Sequence, residues 1–155
     1  MNKTNAMRIL DANKIEYSAH EYEVDESDLS GETVAKKINA AEDEIFKTLV
    51  ARGDKTGILV FCIPVSAELN LKNAAAASGN KKVELIKLNE LLSLTGYIRG
   101  GCSPIGMKKE YPVFIEETAQ MFDKIFISAG IRGVQSKLAP SDIQKITTAQ
   151  FAGLI

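Results

Sequence analysis

A chain of 155 residues is long enough for one domain with a real apolar core, without disulfide or metal staples. Its 19 Lys+Arg nearly cancel its 20 Asp+Glu, which argues against broad electrostatic capture of nucleic acid, a mode that needs many phosphate contacts. No run approaches the ~18 apolar residues of a membrane span, and the opening "MNKTNAMRILDANK" lacks a signal peptide's apolar stretch.

Thr4 is positioned to cap a short amphipathic helix over 4–14, with Ala6, Ile9 and Leu10 at helical spacing. The alternation in "IEYSAHEYEV" predicts a strand over 15–24, and Val34, Ala35 and Ile38 give "GETVAKKINA" one apolar helical face. "FKTLVARG" and "GILVFCIP" are two β-like runs separated by "DKT", which predicts a hairpin. "NLKNAAAASG" is helical by propensity, with Asn70 as N-cap and Gly79 just past its end. "KKVELIKL" predicts a strand and "NELLSLTG" a short helix. Three further strands are expected in "VFIEE", "KIFISAG" and "GVQSKLA", and Ser141 with Gln144 has capping-box spacing for a closing helix in "PSDIQKI".

Strands and short helices interleave across 1–155, with no low-complexity linker and no internal repeat. The expectation is a single mixed α/β (α+β) domain. Six or seven strands in so short a chain favour a strongly curved, barrel-like mixed sheet flanked by short helices.

His20 is the sole histidine. A His-based zinc site would need partners that the sequence lacks, so a hydrogen-bonded or solvent-facing strand residue is the plainer reading. No metal or other cofactor is expected. Cys62 and Cys102 form no CxxC pair and no disulfide framework, in keeping with a reducing cytoplasm. Cys62, inside "ILVFCIP", reads as a small buried hydrophobe.

The segment "GYIRGGCSPIGMKK", residues 96–109, admits three readings: a tight turn, a backbone cradle for a polar ligand, or the seat of a nucleophilic Cys102. Arg99 or Lys108 would lower that thiol's pKa if close, but no base is identifiable nearby, and a loop cysteine beside a pocket is the better reading. Gly100 and Gly101 let a ligand approach the backbone, Pro104 stiffens the loop, and Gly106 allows a second turn. No GxxxxGK[ST] or strand-following GxGxxG is present, so turn and cradle stay level. Lys47, in "IFKTLVA", is by itself a solvent-face strand lysine, although a partly desolvated one would bind an anion or carbonyl. "SAGIRG" places Ser128 and Arg132 just after a strand, for a phosphate, a hydroxyl or a turn.

Taken in order and spacing, "FKTL", "GYIRGGCSPIG" and "SAGIRG" resemble the YbaK/EbsC family of aminoacyl-tRNA deacylases. "ANKIEYSAHEYE", "LNLKNAAAASGNKKVEL" and "DIQKIT" extend the likeness over nearly the whole chain, within the family toward the Cys-tRNA(Pro) deacylase branch. The resemblance implies the family's compact α/β fold around a curved mixed sheet. It also implies hydrolysis of the ester joining a wrong amino acid to tRNA, here cysteine on tRNA(Pro). Lys47 matches the family's essential pocket lysine and Tyr22 its early tyrosine. Gly100, Gly101, Ser103, Pro104 and Gly106 match its substrate loop, and Ser128 its pocket serine. The position of Cys102 is commonly aliphatic in the family. Gln135 and Asn70 stand where an acidic residue and an aspartate are expected.

In the implied mechanism the substrate's own thiol attacks its ester, helped by amides of the glycine loop. The implied partners are the 3′ end of mischarged tRNA(Pro) and prolyl-tRNA synthetase, without membrane or DNA. Lys72, Lys81, Lys82, Lys108 and Lys109 are candidate phosphate neighbours. The competing readings are a non-catalytic module for tRNA ends or a synthetase, a deacylase for another amino acid such as alanine, and a small-molecule hydrolase built on Cys102.

Overall fold

The computed structural model describes residues 2–155. Its first helix, α1 (Asn5–Ala12), starts at Thr4, whose hydroxyl accepts from the Met7 amide at 3.1 Å and donates to the Ala129 carbonyl at 2.6 Å. One residue thus caps the helix and ties it to the body of the fold. Strand β1 (Ser18–Glu21) is shorter than the predicted 15–24, because only these four residues pair with another strand. Helix α2 (Gly31–Lys37) is capped by Ser30.

The predicted hairpin forms from β2 (Phe46–Gly53) and β3 (Gly57–Pro64), in register from Phe46 opposite Pro64 to Gly53 opposite Gly57. Its turn is held from outside. The Asn80 side-chain oxygen accepts from the Lys55 and Thr56 amides at 2.8 and 3.1 Å, and Asp54 accepts from the Lys81 and Lys82 amides. Asn70 caps α3 (Leu71–Ser78) as expected, accepting from Lys72 and Asn73, and Gly79 ends it in the left-handed conformation.

Next come β4 (Val83–Leu85), α4 (Leu91–Thr95), β5 (Val113–Glu116), β6 (Ile125–Ser128), β7 (Val134–Leu138), α5 (Pro140–Thr147) and β8 (Gln150–Ala152). The capping box expected at Ser141 and Gln144 does not form. Pro140, with φ fixed and no N–H to satisfy, takes the first helical position, and the cap moves back to Ala139.

The mixed α/β fold is as expected, with one correction to the sheet. It is not closed into a barrel but split in two, a three-stranded sheet of order β1-β7-β6 and a five-stranded sheet of order β4-β2-β3-β5-β8. The first is antiparallel; the second pairs β3 with β5 and β5 with β8 in parallel. The physical reason lies in β3, where residues 59–63 are each 1% exposed or less. Val60 and Cys62 pack on one face with Leu10, Ile115, Ile127 and Ile143, while Leu59, Phe61 and Ile63 pack on the other with Ala74, Val83 and Phe114. A strand covered on both faces reads as a continuous apolar run, and each such side chain contributes about 1.5–3 kcal/mol on burial.

The chain's end is latched by a buried carboxylate. Glu116, 2% exposed, accepts from the Leu154 amide at 2.9 Å and the Thr118 amide at 2.8 Å. Burial pushes its pKa up, but the amides of Leu154, Thr118 and Ile155 outweigh that and hold it below the usual glutamate range. Its contribution is therefore complete above the unfolded pKa of about 4.3 and is lost as pH falls through the lower folded value. Glu116→Gln should cost roughly 1.5–3 kcal/mol near pH 7, where it weakens hydrogen bonds to a charge. Urea titrations of both proteins should show that difference shrinking below about pH 4.3; a difference independent of pH would contradict the latch.

Candidate active site

An isolated bridge between Ile45 and Phe126 joins the two sheets, and a cleft of about 370 Å³ opens along this seam. Separate parts of the chain converge there. The start of β2 brings Lys47 and Thr48, the segment after β1 brings Tyr22, and β6 and β7 bring Ser128 and Gln135. The beginning of α2 covers one side, and Arg99, Gly100 and Cys102 form a further wall.

Lys47 is half-buried, and its ammonium donates to the Val65 carbonyl at a long 3.4 Å. An ammonium has three donors, so this contact steers the group while leaving it able to meet a ligand oxygen. Ser128 is buried, and its Oγ accepts from the Gly130 amide at 3.2 Å, which leaves the hydroxyl proton to donate. Gln135 lies opposite Ser128 on one side and His20 on the other in the strand register. Its Oε1 is buried and has no hydrogen-bond partner among the described residues, an arrangement that costs about 1–3 kcal/mol.

Four of the predicted site residues, Tyr22, Lys47, Gly100 and Ser128, line this cleft. Gly101, Ser103, Pro104 and Gly106 do not. Gly101 sits against the backbone of the next loop, where an added Cβ would lie 3.1 Å from the Arg132 nitrogen and 3.2 Å from Ile131. Its amide is already committed to the Ile98 carbonyl at 3.0 Å. Ser103 is fully buried and accepts from the Ile105 amide at 3.1 Å, stapling the turn. Pro104 and Gly106 border a second, smaller cavity.

Gly100 has φ 85°, and Arg132 packs so close that an added Cβ would meet its Nε at 3.3 Å. That Nε donates to the Arg99 carbonyl at 2.7 Å, so "SAGIRG" serves partly to clamp the substrate-loop candidate. The lysines proposed as phosphate neighbours are exposed. None of them lines the cleft, and Lys82 pairs with Glu84 at 2.7 Å.

His20 is not a lining residue. Its ring meets Phe126 edge-on at 5.1 Å and its Nε2 lies 2.8 Å from the Ser18 hydroxyl, the plainer role expected of it. Cys102 does touch the cleft, but burial pushes its thiol up to about 12, with a Thr95 hydrogen bond pulling only weakly the other way. Cys62 is likewise pushed up to about 12 by burial.

The sequence reading did not anticipate Thr48, Ser30 and the rest of the α2 wall. Thr48 had a local signal in its adjacency to Lys47, since both neighbours reach an open seam at a strand's end. That α2 folds over the cleft has none, because its approach is decided by packing of Ala35 against Ile45, Val65 and Phe126.

A cleft that carries a lysine, an arginine, hydroxyls and a glutamine is equipped to hold and polarise a carbonyl compound. Residues 26–146 match the family described as aminoacyl-tRNA editing domain. EbsC of Enterococcus faecalis, provisionally named a Cys-tRNA(Pro)/Cys-tRNA(Cys) deacylase, is 51% identical over 150 residues, which is 97% of this chain and 92% of that protein. The chain belongs to the aminoacyl-tRNA editing family, which makes mischarged aminoacyl-tRNA its substrate class.

Solved structures carry the same fold. The hypothetical protein APE2540 superposes with a TM-score of 0.88 at 20% identity, covering 97% of this chain and 99% of that one. A protein provisionally described as a trans-editing enzyme for prolyl tRNA synthetase superposes at 0.81 with 22% identity, covering 99% and 98%.

The electrostatics of Cys102 give a direct check. Iodoacetamide at pH 8 should label Cys102 in the folded protein roughly tenfold or more slowly than in the urea-unfolded chain, since so little thiolate is present. Mass-spectrometric mapping that finds equal rates would mean that the thiol is activated.

Proposed function

We propose that this chain is a trans-acting hydrolase that deacylates Cys-tRNA(Pro), the substrate's thiol supplying the nucleophile. The observation that carries this is the convergence of Lys47, Tyr22, Gly100 and Ser128 on one cleft whose only lining thiol is pushed up to about 12. A volume of about 370 Å³ suits an aminoacyl ester and part of its ribose.

In this reading the cysteinyl sulfur attacks the ester carbonyl carbon, and the bond to the ribose oxygen breaks. The thiol proton ends on that oxygen, and the four-membered thiolactone is opened by water to free cysteine. Holding the sulfur and carbonyl in line contributes about 7–11 kcal/mol in favourable intramolecular cases. The Gly101 amide is bound to Ile98, so it is not free to serve the oxyanion. The Lys47 ammonium takes that role, donating to the carbonyl oxygen as charge develops.

The near-zero net charge fits a protein that grips only the tRNA's 3′ end, with modest and salt-sensitive affinity. Prolyl-tRNA synthetase would then supply tRNA selection, in the cytoplasm. The trans-editing description of a structural relative agrees with that partnership.

Purified protein should release cysteine from Cys-tRNA(Pro) and leave Pro-tRNA(Pro) intact in a deacylation panel that also includes Ala-tRNA(Pro). Lys47→Ala should lower kcat by roughly 10²–10³ with the thermal midpoint unchanged, whereas Cys102→Ser should retain turnover. Tight binding of mischarged tRNA without ester loss would sink the hydrolase reading and favour a binding module. Loss of turnover in Cys102→Ser would overturn the substrate-thiol mechanism.

A further inference from the structure

Gln135 is a cleft residue to which the reaction above gives no part. It is 6% exposed, it lines the cleft, and its Oε1 has no hydrogen-bond partner among the described residues. Buried polar atoms in folded proteins are normally satisfied, so an oxygen with no donor where it lies gives up no hydrogen bond by turning toward a ligand. The terminal torsion of a glutamine is broad and roughly twofold. A half-turn therefore presents the oxygen where the nitrogen now lies.

What that oxygen can receive follows from the rest of the lining. An aminoacyl ester offers acceptors at its carbonyl and ester oxygens and one strong donor, the α-ammonium. The cleft is rich in donors, with the Lys47 ammonium, the Arg99 guanidinium and the hydroxyls of Tyr22 and Thr48. Side chains that accept through a carbonyl or carboxylate oxygen are scarce. The one lining carboxylate, Glu32, is exposed in the first turn of α2, and Ser128 already accepts from Gly130.

We infer that Gln135 is a specificity-determining residue whose carboxamide oxygen accepts a hydrogen bond from the α-ammonium of the aminoacyl group. The inference rests on the reading of the cleft as an aminoacyl-ester site. Gln135 makes the cleft select amino-acid esters over acyl esters that lack the amine. A neutral acceptor suits a cleft that also holds Lys47, because it does not pair with that cation and draw it from the carbonyl.

Two non-hydrolysable ligands test this: 3′-amino-3′-deoxyadenosine acylated with cysteine, and the same compound acylated with 3-mercaptopropionic acid, which differs only in lacking the amine. Calorimetry should find wild type binding the cysteinyl ligand at least tenfold more tightly. Gln135→Met should reduce that preference to within twofold while keeping its affinity for the desamino ligand. Gln135→Glu, which retains an acceptor, should keep a tenfold or larger preference, and it decides the matter alone if the methionine variant does not fold. Wild type binding both ligands equally would overturn the inference and leave the aminoacyl site standing. So would a methionine variant that keeps the wild-type preference, or a glutamate variant that loses it. Wild type binding neither ligand would overturn the aminoacyl site, and the inference with it.

Discussion

The double-sided burial of β3 is the constraint on which the remaining architecture depends. Residues 59–63 must be covered above and below, and the chain meets that demand with two different layers. One is built from α1, α5 and the inner face of the three-stranded sheet, the other from α3 and the chain's end. A sheet so enclosed has no empty interior to curl around, so the barrel stays open along the seam between β2 and β6. The hairpin register then fixes where β2 begins, with Phe46 opposite Pro64, and thereby puts Lys47 at the mouth of that seam. The site lysine is placed by the core rather than by its own neighbours.

Under the proposed reaction the protein supplies no nucleophile, and such catalysis depends on how rigidly its walls hold the substrate. The loop over 96–109 is built accordingly. Gly101 bonds to Ile98, Lys108 to Thr95, Ser103 to Ile105 and the Tyr97 hydroxyl to the Ile105 carbonyl, while Arg132 fastens Arg99 from outside. Gly101 and Ser103 thus serve the cleft from behind it. The missing side chain of Gly101 lets the wall pack against the 131–132 backbone, and of this loop only Arg99, Gly100 and Cys102 face the ligand space.

These features also explain what could be read from the sequence. The β2–β3 hairpin, the Thr4 and Asn70 caps and the end of α3 at Gly79 rest on local chemistry, and each is legible in a window of a few residues. Strand β8 is not: three residues long, it exists only through parallel pairing with β5, more than thirty residues earlier. The split of the sheet is equally non-local, since it follows from which faces of β3 are covered. At the site, motif order placed Lys47, Tyr22, Gly100 and Ser128 on one list, and the fold places them in one cleft. It could not separate Gly100, which faces that cleft, from Gly101, which packs away from it. The two are adjacent glycines, and only the approach of Arg132 and Ile131 tells them apart.

Cys102 acquires a different meaning under the proposed reaction. A thiol lining the cleft, if ionised, would attack the same ester carbonyl as the substrate's sulfur and trap the amino acid as a protein thioester. Burial answers that hazard by pushing the thiol up to about 12, so almost no thiolate exists at neutral pH. The substrate's thiol arrives from water, where about 8.5 is the usual cysteine value. Burial thus keeps the protein's sulfur out of any competition for that carbonyl. The same low-dielectric wall that silences the protein's sulfur also strengthens the pull of Lys47 on the carbonyl oxygen.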